Sequence, residues 1–221
     1  MPQGQRTVPM KIKICGLTSA AAVAHAADAG AAYVGFNFYP PSPRALEFDA
    51  ARALAEGAPA GVTRVALVVD ADDAFLDRLV ATVPVDMLQL HGHENPERVT
   101  AIRARTGLPV MKAIGIRDAE DLPRIADYEA VADQLLIDAK PPRQGAGILP
   151  GGNALSFDWR LIAGRRWARP WLLAGGLTAS NVATAIRLTG AEQVDVSSGV
   201  ESTRGVKDLE KISAFIGAAS A

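Results

Sequence analysis

Polar side chains alternate with β-branched residues at the ends of two short apolar runs in this chain. One run alternates isoleucine with Lys13 and Cys15, and the other alternates valine with Asp195 and Ser197. Because successive side chains of a strand point to opposite faces, the polar residues of each run share one face. A thiol beside an ammonium group and a carboxyl beside a hydroxyl group are suited to proton transfer and to anion binding.

The same alternation recurs in three further runs. It places Gln89 with His91 on one face, aims Lys112 to the same side, and puts Asp138 at the end of an apolar run. Burying an unpaired polar group costs about 1–3 kcal/mol. We therefore expect these side chains to point inward and converge on a ligand. The alternative for each residue is a satisfied core or capping side chain.

Eight short apolar runs alternate with longer, alanine-rich amphipathic stretches. The predicted strands are 10–15, 32–37, 63–69, 86–90, 108–113, 134–138, 171–174 and 193–196. The predicted helices are 19–29, 49–57, 71–82, 96–106, 119–126, 158–164, 179–188 and 206–217. Strands that alternate with helices pair in parallel through right-handed crossovers.

Eight such units of roughly 27 residues predict an α/β chain folded as a single-domain (β/α)8 TIM barrel. In that fold the loops after the strands form the catalytic face, which is where the polar side chains fall. A doubly wound open sheet is the structural alternative. Residues 15–18 (CGLT), which follow the first strand, do not match the G-x-G-x-x-G pattern that such a sheet usually carries there.

Composition excludes several classes of protein. The 221 residues include 23 Lys+Arg and 24 Asp+Glu, so the formal net charge is -1, which predicts no nucleic-acid partner. One cysteine forms no internal disulfide, and no spacing resembles a zinc site. No apolar run is long enough for a bilayer, so we expect no membrane partner and a cytoplasmic location. We expect a frayed tail over 1–9 and one barrel domain over 10–221.

Two glycine- and serine-containing turns predict an anion site. Gly175 and Gly176 follow the seventh strand, and Ser197 and Ser198 follow the eighth. Glycines let the backbone approach an anion, and the N–H groups at a helix start donate to it. In many barrels these two loops hold a phosphate. A plain turn is the alternative for either one alone.

Cys15 has three interpretations. It is a small buried hydrophobic residue, a nucleophile that His91 could activate, or a general base. A nearby helix N-terminus and Lys13 are expected to lower its pKa and favour the thiolate. Asp138 is a candidate proton donor, with a loop salt bridge to Lys140 as the alternative.

Arg44 lies in a proline-rich segment, residues 40–44 (PPSPR). The prolines stiffen that loop, which would hold the guanidinium ready for a bidentate contact with a carboxylate. An ordinary surface arginine is the alternative.

Together these segments resemble the phosphoribosylanthranilate isomerase family of tryptophan biosynthesis, over nearly the whole chain. The segments that carry the resemblance are 13–18 (KICGLT), 35–38 (GFNF) with 42–44 (SPR), 88–92 (LQLHG), 137–140 (IDAK), 157–159 (FDW), 173–177 (LAGGL), 194–201 (VDVSSGVE) and 205–208 (GVKD). One departure lies in the loop 140–157, where Ala154 stands at a position that is often glycine in the family.

The resemblance implies an Amadori rearrangement of N-(5-phosphoribosyl)anthranilate, an aminoaldose, to an aminoketose, without cofactor or metal. It implies that Cys15 is the general base, Asp138 the general acid and Arg44 the residue that holds the anthranilate carboxylate. The residues implied to bind phosphate or line the pocket are Gly175, Gly176, Ser197 and Ser198 for phosphate, and His91 and Asp195 for the rest of the substrate. We expect a small-molecule phosphosugar substrate and a monomer rather than a homodimer.

Two rival functions remain at this point. One is the sister phosphosugar isomerase of histidine biosynthesis, or a version that accepts both substrates. Those barrels generally use paired aspartates, so Cys15 argues against them. The other is a phosphate-ligand binding protein that has lost catalysis, against which the presence of both Cys15 and Asp138 weighs.

Overall fold

Eight parallel strands form a closed barrel in the computed structural model, which describes residues 9–140 and 156–221. Each strand pairs with the next along the chain, and β8 closes the barrel against β1 with Lys13 opposite Asp195. The strands are β1 Lys11–Cys15, β2 Tyr33–Asn37, β3 Thr63–Val68, β4 Met87–Leu90, β5 Val110–Ile116, β6 Gln134–Ala139, β7 Trp171–Leu173 and β8 Gln193–Val196. The predicted (β/α)8 fold is confirmed.

Helices surround the barrel. They are α1 Ala20–Asp28, α2 Phe48–Glu56, α3 Asp73–Thr82, α4 Pro96–Thr106, α5 Arg124–Glu129, α6 Val182–Thr189 and α7 Leu209–Ser220. Side chains that accept a backbone N–H hydrogen bond mark several helix starts, as Asp72 does for α3 and Asn95 for α4. None of the described helices is long and apolar enough to span a membrane.

Two predicted helices are shorter than the sequence indicated. The stretch 119–126 divides into a 3-10 turn, Ala119–Asp121, and α5, because Pro123 stands between them and cannot donate a backbone hydrogen bond. The stretch 158–164 forms only a 3-10 turn, Trp159–Ile162, which Asp158 caps. Both units keep their place between strands, so the barrel topology is unaffected.

The last predicted helix, 206–217, was wrong in its first turn. Its start, β10 Val206–Lys207, pairs antiparallel with β9 Glu201–Thr203 in a small hairpin. The helix α7 begins later because the side chain of Asp208 accepts a hydrogen bond from the backbone of Lys211. This hairpin lies directly after the loop that follows β8, and therefore beside the predicted anion site.

Two apolar clusters reveal which face of each strand points inward. The large cluster fills the space between strands and helices and includes Ile12 and Ile14. The small cluster fills the barrel interior with Met111, Ala113 and Leu136 among its members. The inward phase therefore also holds Lys13 and Cys15 on β1, Gln89 on β4, Asp138 on β6 and Asp195 on β8.

Lys112 points outward, so its predicted direction was wrong. It shares the phase of Val110 and Ile114, which belong to the outer cluster. Its ammonium donates to the carbonyls of Leu90 and Gly92, at 3.3 and 2.8 Å, and to the Glu94 carboxylate at 2.7 Å. A buried lysine is tolerated on this face because these acceptors satisfy its protons.

Two expectations fall outside the described residues. The frayed tail concerns mainly 1–8, and the departure in the loop 140–157 concerns mainly 141–155.

Candidate active site

Four polar side chains of the inward phase gather at the carboxyl ends of the strands. Cys15 ends β1, His91 follows β4, Asp138 lies on β6 and Ser197 follows β8. Cys15 and Asp138 are almost fully buried, with 5% and 8% of their surface exposed. The sequence-predicted thiol and carboxyl therefore lie on different strands at one mouth of the barrel.

Gly35 leaves the space that Cys15 occupies. A Cβ atom at Gly35 would lie 3.0 Å from the Cys15 sulfur and 3.2 Å from Lys13 Nζ, tighter than most real contacts. A larger residue at this position of β2 would push the thiol and the ammonium away from their present places. The thiol therefore depends on the neighbouring strand for its position.

The Cys15 thiol is less acidic than the sequence suggested. Burial raises its pKa above the usual value and outweighs the opposite effect of Lys13 and Lys207. The expectation that Lys13 and a helix N-terminus would lower this pKa was wrong in its net direction, because it neglected desolvation inside the barrel. Cys15 is therefore a neutral thiol at rest, with two ammonium groups near enough to stabilise a thiolate once one forms.

Lys13 forms a buried ion pair with Asp195. The distance from Nζ to Oδ1 is 2.8 Å, and the lysine side chain is fully buried. Burial by itself would lower the pKa of Lys13, but the charge of Asp195 and its hydrogen bond oppose this, and the pKa lies above its usual value. A permanent positive charge therefore lies at the floor of the site, next to the sulfur, and Asp195 holds it there.

Asp138 is held by two neighbours. The backbone N–H of Ala139 donates to Oδ1 at 2.8 Å, and His91 Nε2 lies 3.3 Å from Oδ2. Gln89 in turn lies 2.9 Å from His91 Nδ1. The sequence allowed His91 to pair with Cys15. In the structure His91 lies beside Asp138 instead. Lys140, the alternative partner for Asp138, pairs with Asp121.

Arg44 is buried at the mouth and is not a surface arginine. Only 3% of its surface is exposed, and its Nε and Nη2 atoms donate to the two carboxylate oxygens of Glu201 at 2.6 and 2.9 Å. A Cβ atom at Gly16 would overlap the Arg44 side chain, so this glycine lets the arginine cross the loop after β1. One edge of the guanidinium is therefore occupied by the protein itself.

The two predicted anion loops lie side by side. Gly175 and Gly176 have φ angles of +86° and +62°, which favour glycine. A Cβ atom at Gly175 would lie 2.7 Å from the backbone nitrogen of Ala139. A Cβ atom at Gly199 would overlap the carbonyl of Leu177, so the loops after β7 and β8 touch there. The two loops therefore adjoin each other, and the Gly175 position lies next to Asp138.

Asn181 shapes the first of these loops. Its side-chain amide donates to the carbonyl of Gly176 at 2.9 Å, and its oxygen accepts from the backbone N–H of Thr178 at 2.8 Å. The loop is thereby held in place where α6 begins, and the partial positive charge of that helix N-terminus faces the same region.

Sequence reasoning missed three residues at the mouth. Asn37 turns the chain after β2 by accepting from the backbone of Tyr39 at 2.8 Å. Glu201 and Lys207 pair at 2.8 Å on the hairpin after β8. Glu201 and Lys207 belong to segments that carry the family resemblance, but the predicted helix start at residue 206 hid the hairpin that brings them together.

The site provides one thiol, one carboxyl and fixed positive charge, with backbone donors nearby. Among residues 9–140 and 156–221, no three His, Cys, Asp or Glu side chains are placed to hold a metal ion. What the arrangement can do is move protons on a small anionic ligand.

Sequence comparison identifies relatives over nearly the full chain. Residues 12–218 match the family described as N-(5'phosphoribosyl)anthranilate (PRA) isomerase. A protein of Cereibacter sphaeroides named N-(5'-phosphoribosyl)anthranilate isomerase is 62% identical over 207 residues, 94% of this chain and 97% of that protein.

Solved structures agree. Phosphoribosyl anthranilate isomerase from Thermotoga maritima superposes with a TM-score of 0.85 at 34% identity, covering 95% of this chain and 98% of that one. A phosphoribosyl anthranilate isomerase in complex with reduced 1-(o-carboxyphenylamino)-1-deoxyribulose 5-phosphate gives a TM-score of 0.82 at 33% identity, with the same coverage. Another Thermotoga maritima structure is described as monomers generated from a dimeric isomerase.

Proposed function

Because this chain belongs to the N-(5'-phosphoribosyl)anthranilate isomerase family, we propose that it converts N-(5-phosphoribosyl)anthranilate to 1-(2-carboxyphenylamino)-1-deoxyribulose 5-phosphate in tryptophan biosynthesis. The reaction is an intramolecular aldose–ketose isomerisation. The observation that supports it most directly is the pair Cys15 and Asp138, which lie on two strands of one barrel mouth.

Asp138 acts first, as general acid. It protonates the furanose ring oxygen while the bond between that oxygen and C1 breaks, and the nitrogen lone pair forms a protonated Schiff base. The hydrogen bond from the Ala139 backbone holds the carboxylate that this step leaves, and the His91 imidazole lies beside it at 3.3 Å. The protonated imine then serves as the electron sink, so the second step needs no cofactor.

Cys15 acts second, as general base. Its thiolate removes the proton from C2, and the electron pair of that C–H bond moves to the imine to give an enolamine. The enolamine tautomerises to the ketone. Since burial keeps Cys15 protonated at rest, the thiol must release its proton to water before this step, and the adjacent ammonium groups of Lys13 and Lys207 stabilise the thiolate that remains.

The two ends of the substrate bind away from the reacting carbons. Arg44 binds the anthranilate carboxylate through the guanidinium edge that Glu201 leaves free. The backbones of Gly175, Gly176, Ser197 and Ser198 bind the phosphate. Binding energy from these remote groups holds C1 and C2 between the acid and the base.

Turnover with purified protein tests the function. We expect conversion of N-(5-phosphoribosyl)anthranilate to the aminoketose. Chromatography separates substrate from product and measures the conversion. Absence of conversion by a folded protein that binds phosphate would indicate a binding protein. Conversion of the aminoaldose of histidine biosynthesis, alone or in addition, would favour the sister isomerase or a dual-substrate enzyme.

We further propose that the chain acts as a monomer in the cytoplasm, where a lone thiol stays reduced. Light scattering over a range of concentrations should give the mass of one 23.1 kDa chain. Twice that mass would contradict the monomer.

A further inference from the structure

The Glu201 carboxylate is the centre of a buried cluster that joins several loops of the barrel mouth. It accepts from Arg44 Nε and Nη2 at 2.6 and 2.9 Å, from Lys207 Nζ at 2.8 Å and from the backbone N–H of Gly205 at 3.0 Å. The side chains of Arg44, Glu201 and Lys207 are each at most 5% exposed. Removing this carboxylate would leave two buried cations facing each other, which is strongly unfavourable.

The contact between Glu201 and Arg44 determines where the Arg44 guanidinium points. Arginine recognises carboxylates through a planar fork, so fixing one edge in a bidentate contact fixes the direction of the other. Within residues 9–140 and 156–221, Arg44 Nη1 has no hydrogen-bond partner. Glu201 therefore presents the Nη1 edge as the one available to an incoming carboxylate.

The contact between Glu201 and Lys207 determines where the loop after β8 lies. Lys207 Nζ donates to the carbonyl oxygen of Ser197 at 2.9 Å and to its hydroxyl at 3.2 Å, while Glu201 balances its charge. Burial lowers the pKa of Lys207, and the Glu201 carboxylate opposes that effect. The start of the phosphate-binding loop thus depends on the same carboxylate as Arg44.

We propose that Glu201 is a positioning residue that sets the separation between the two anion-binding ends of the site. This inference rests on the proposed function, since it takes Arg44 as the carboxylate-binding end and the Ser197 loop as the phosphate-binding end. The hairpin β9–β10, which carries Glu201 and Lys207, links these two anion-binding ends. The substrate class it selects is a phosphosugar whose second anion, a carboxylate, lies at one fixed distance from the phosphate.

The charge on Glu201 is present throughout the working pH range. Burial would raise its pKa, but the hydrogen bonds from Arg44 and Lys207 lower it to about 2. The contacts of Glu201 with Arg44 and Lys207 therefore do not change with pH near neutrality.

Separate binding measurements at the carboxylate-binding end and the phosphate-binding end test the positioning role of Glu201. Isothermal titration with anthranilate reports the Arg44 end, and titration with inorganic phosphate reports the Ser197 end. We expect Glu201→Gln to weaken both ligands by about tenfold or more, which corresponds to about 1.4 kcal/mol each. Arg44→Met should weaken anthranilate alone, and Lys207→Met should weaken phosphate more than anthranilate. Glu210→Gln, an exposed change on α7, is the matched control and should alter neither affinity.

Kinetics and a second variant complete the test. Glu201→Gln should raise KM for the full substrate more than it lowers kcat, because the acid and the base are not displaced. Glu201→Asp keeps the charge and shortens the reach, so it should show the same double loss if Glu201→Gln does not fold. Unchanged affinity for both ligands, or loss at one end only, would overturn the proposal. A wild-type protein that binds both ligands without turnover would instead overturn the proposed function.

Discussion

His91 Nε2 lies 3.3 Å from Asp138 Oδ2 at the mouth of the barrel. The other ring nitrogen, Nδ1, lies 2.9 Å from the amide nitrogen of Gln89, which is fully buried. An amide that donates to Nδ1 leaves the ring proton on Nε2, the nitrogen that lies beside the Asp138 carboxylate. His91 thus supports the proposed acid and is not a partner of Cys15.

We expect His91→Asn to lower kcat by about 10-fold, because the variant loses the imidazole contact beside the Asp138 carboxyl, and a factor of ten corresponds to about 1.4 kcal/mol of transition-state stabilisation. KM should change less, since neither anionic end of the substrate touches this ring. Steady-state kinetics measures both constants. His93→Asn is the control, because the His93 side chain is 95% exposed and should be replaceable without loss. Equal kcat in the two variants would argue against the support role.

Cys15→Ala and Asp138→Ala should each abolish most turnover while leaving the fold intact. General acid or base catalysis contributes about 10²–10⁴-fold, so losses of that size are expected in kcat. Asp133→Asn is the control for Asp138, because Asp133 lies before β6 at the opposite end of the barrel and pairs with Arg103. Circular dichroism should show all three variants folded. Full activity of either Ala variant would remove the proposed mechanism.

The Cys15 thiol should titrate above its usual range in the free protein. Because burial raises its pKa from the ordinary value of 9.0, the thiolate absorbance near 240 nm should appear only at strongly alkaline pH. Cys15→Ser gives the baseline, since the chain has no other cysteine. A thiolate signal already present at neutral pH would show that Lys13 outweighs desolvation.

Gly175→Ala should cost more stability than Gly190→Ala. Both glycines have positive φ angles, +86° and +72°, so both substitutions should cost about 1–2 kcal/mol of backbone strain. Only at Gly175 would the new Cβ also crowd Ala139, which adds about 1–3 kcal/mol. Urea unfolding compares the two variants, and phosphate titration should show weaker binding for Gly175→Ala alone. Equal losses of stability would contradict the crowding argument.

Glu201 should contribute to stability above pH 4.5, and this contribution should disappear as the pH falls towards 2. Its pKa is lowered from 4.5 to about 2 in the folded state, so the folded protein binds the proton more weakly than the unfolded chain. The stability difference between wild type and Glu201→Gln should therefore shrink across that window. Urea unfolding at several pH values measures it. A difference that stays constant from pH 5 to pH 2 would contradict the lowered pKa.

The barrel and much of its mouth were predictable because the responsible signals are local. Alternation along a strand assigns Lys13 and Cys15 to one face, and Asp195 to the same face of its own strand. The pair Gly175–Gly176 identifies the turn after β7, and the segment 197–199 (SSG) identifies the turn after β8. Lys112 shows the limit of this reasoning, because a lysine between Met111 and Ala113 has apolar neighbours on both sides and alternation alone does not decide its direction.

The sequence by itself therefore determined the order of strands and helices, the family resemblance and the residue types at the strand ends. Only the tertiary structure decided which side chains meet. Arg44 and Glu201 are separated by 157 positions, and His91 reaches Asp138 rather than Cys15. Closure of the barrel brings these partners together and also excludes water from Cys15, so the raised pKa of its thiol depends on neighbours that no local pattern specifies.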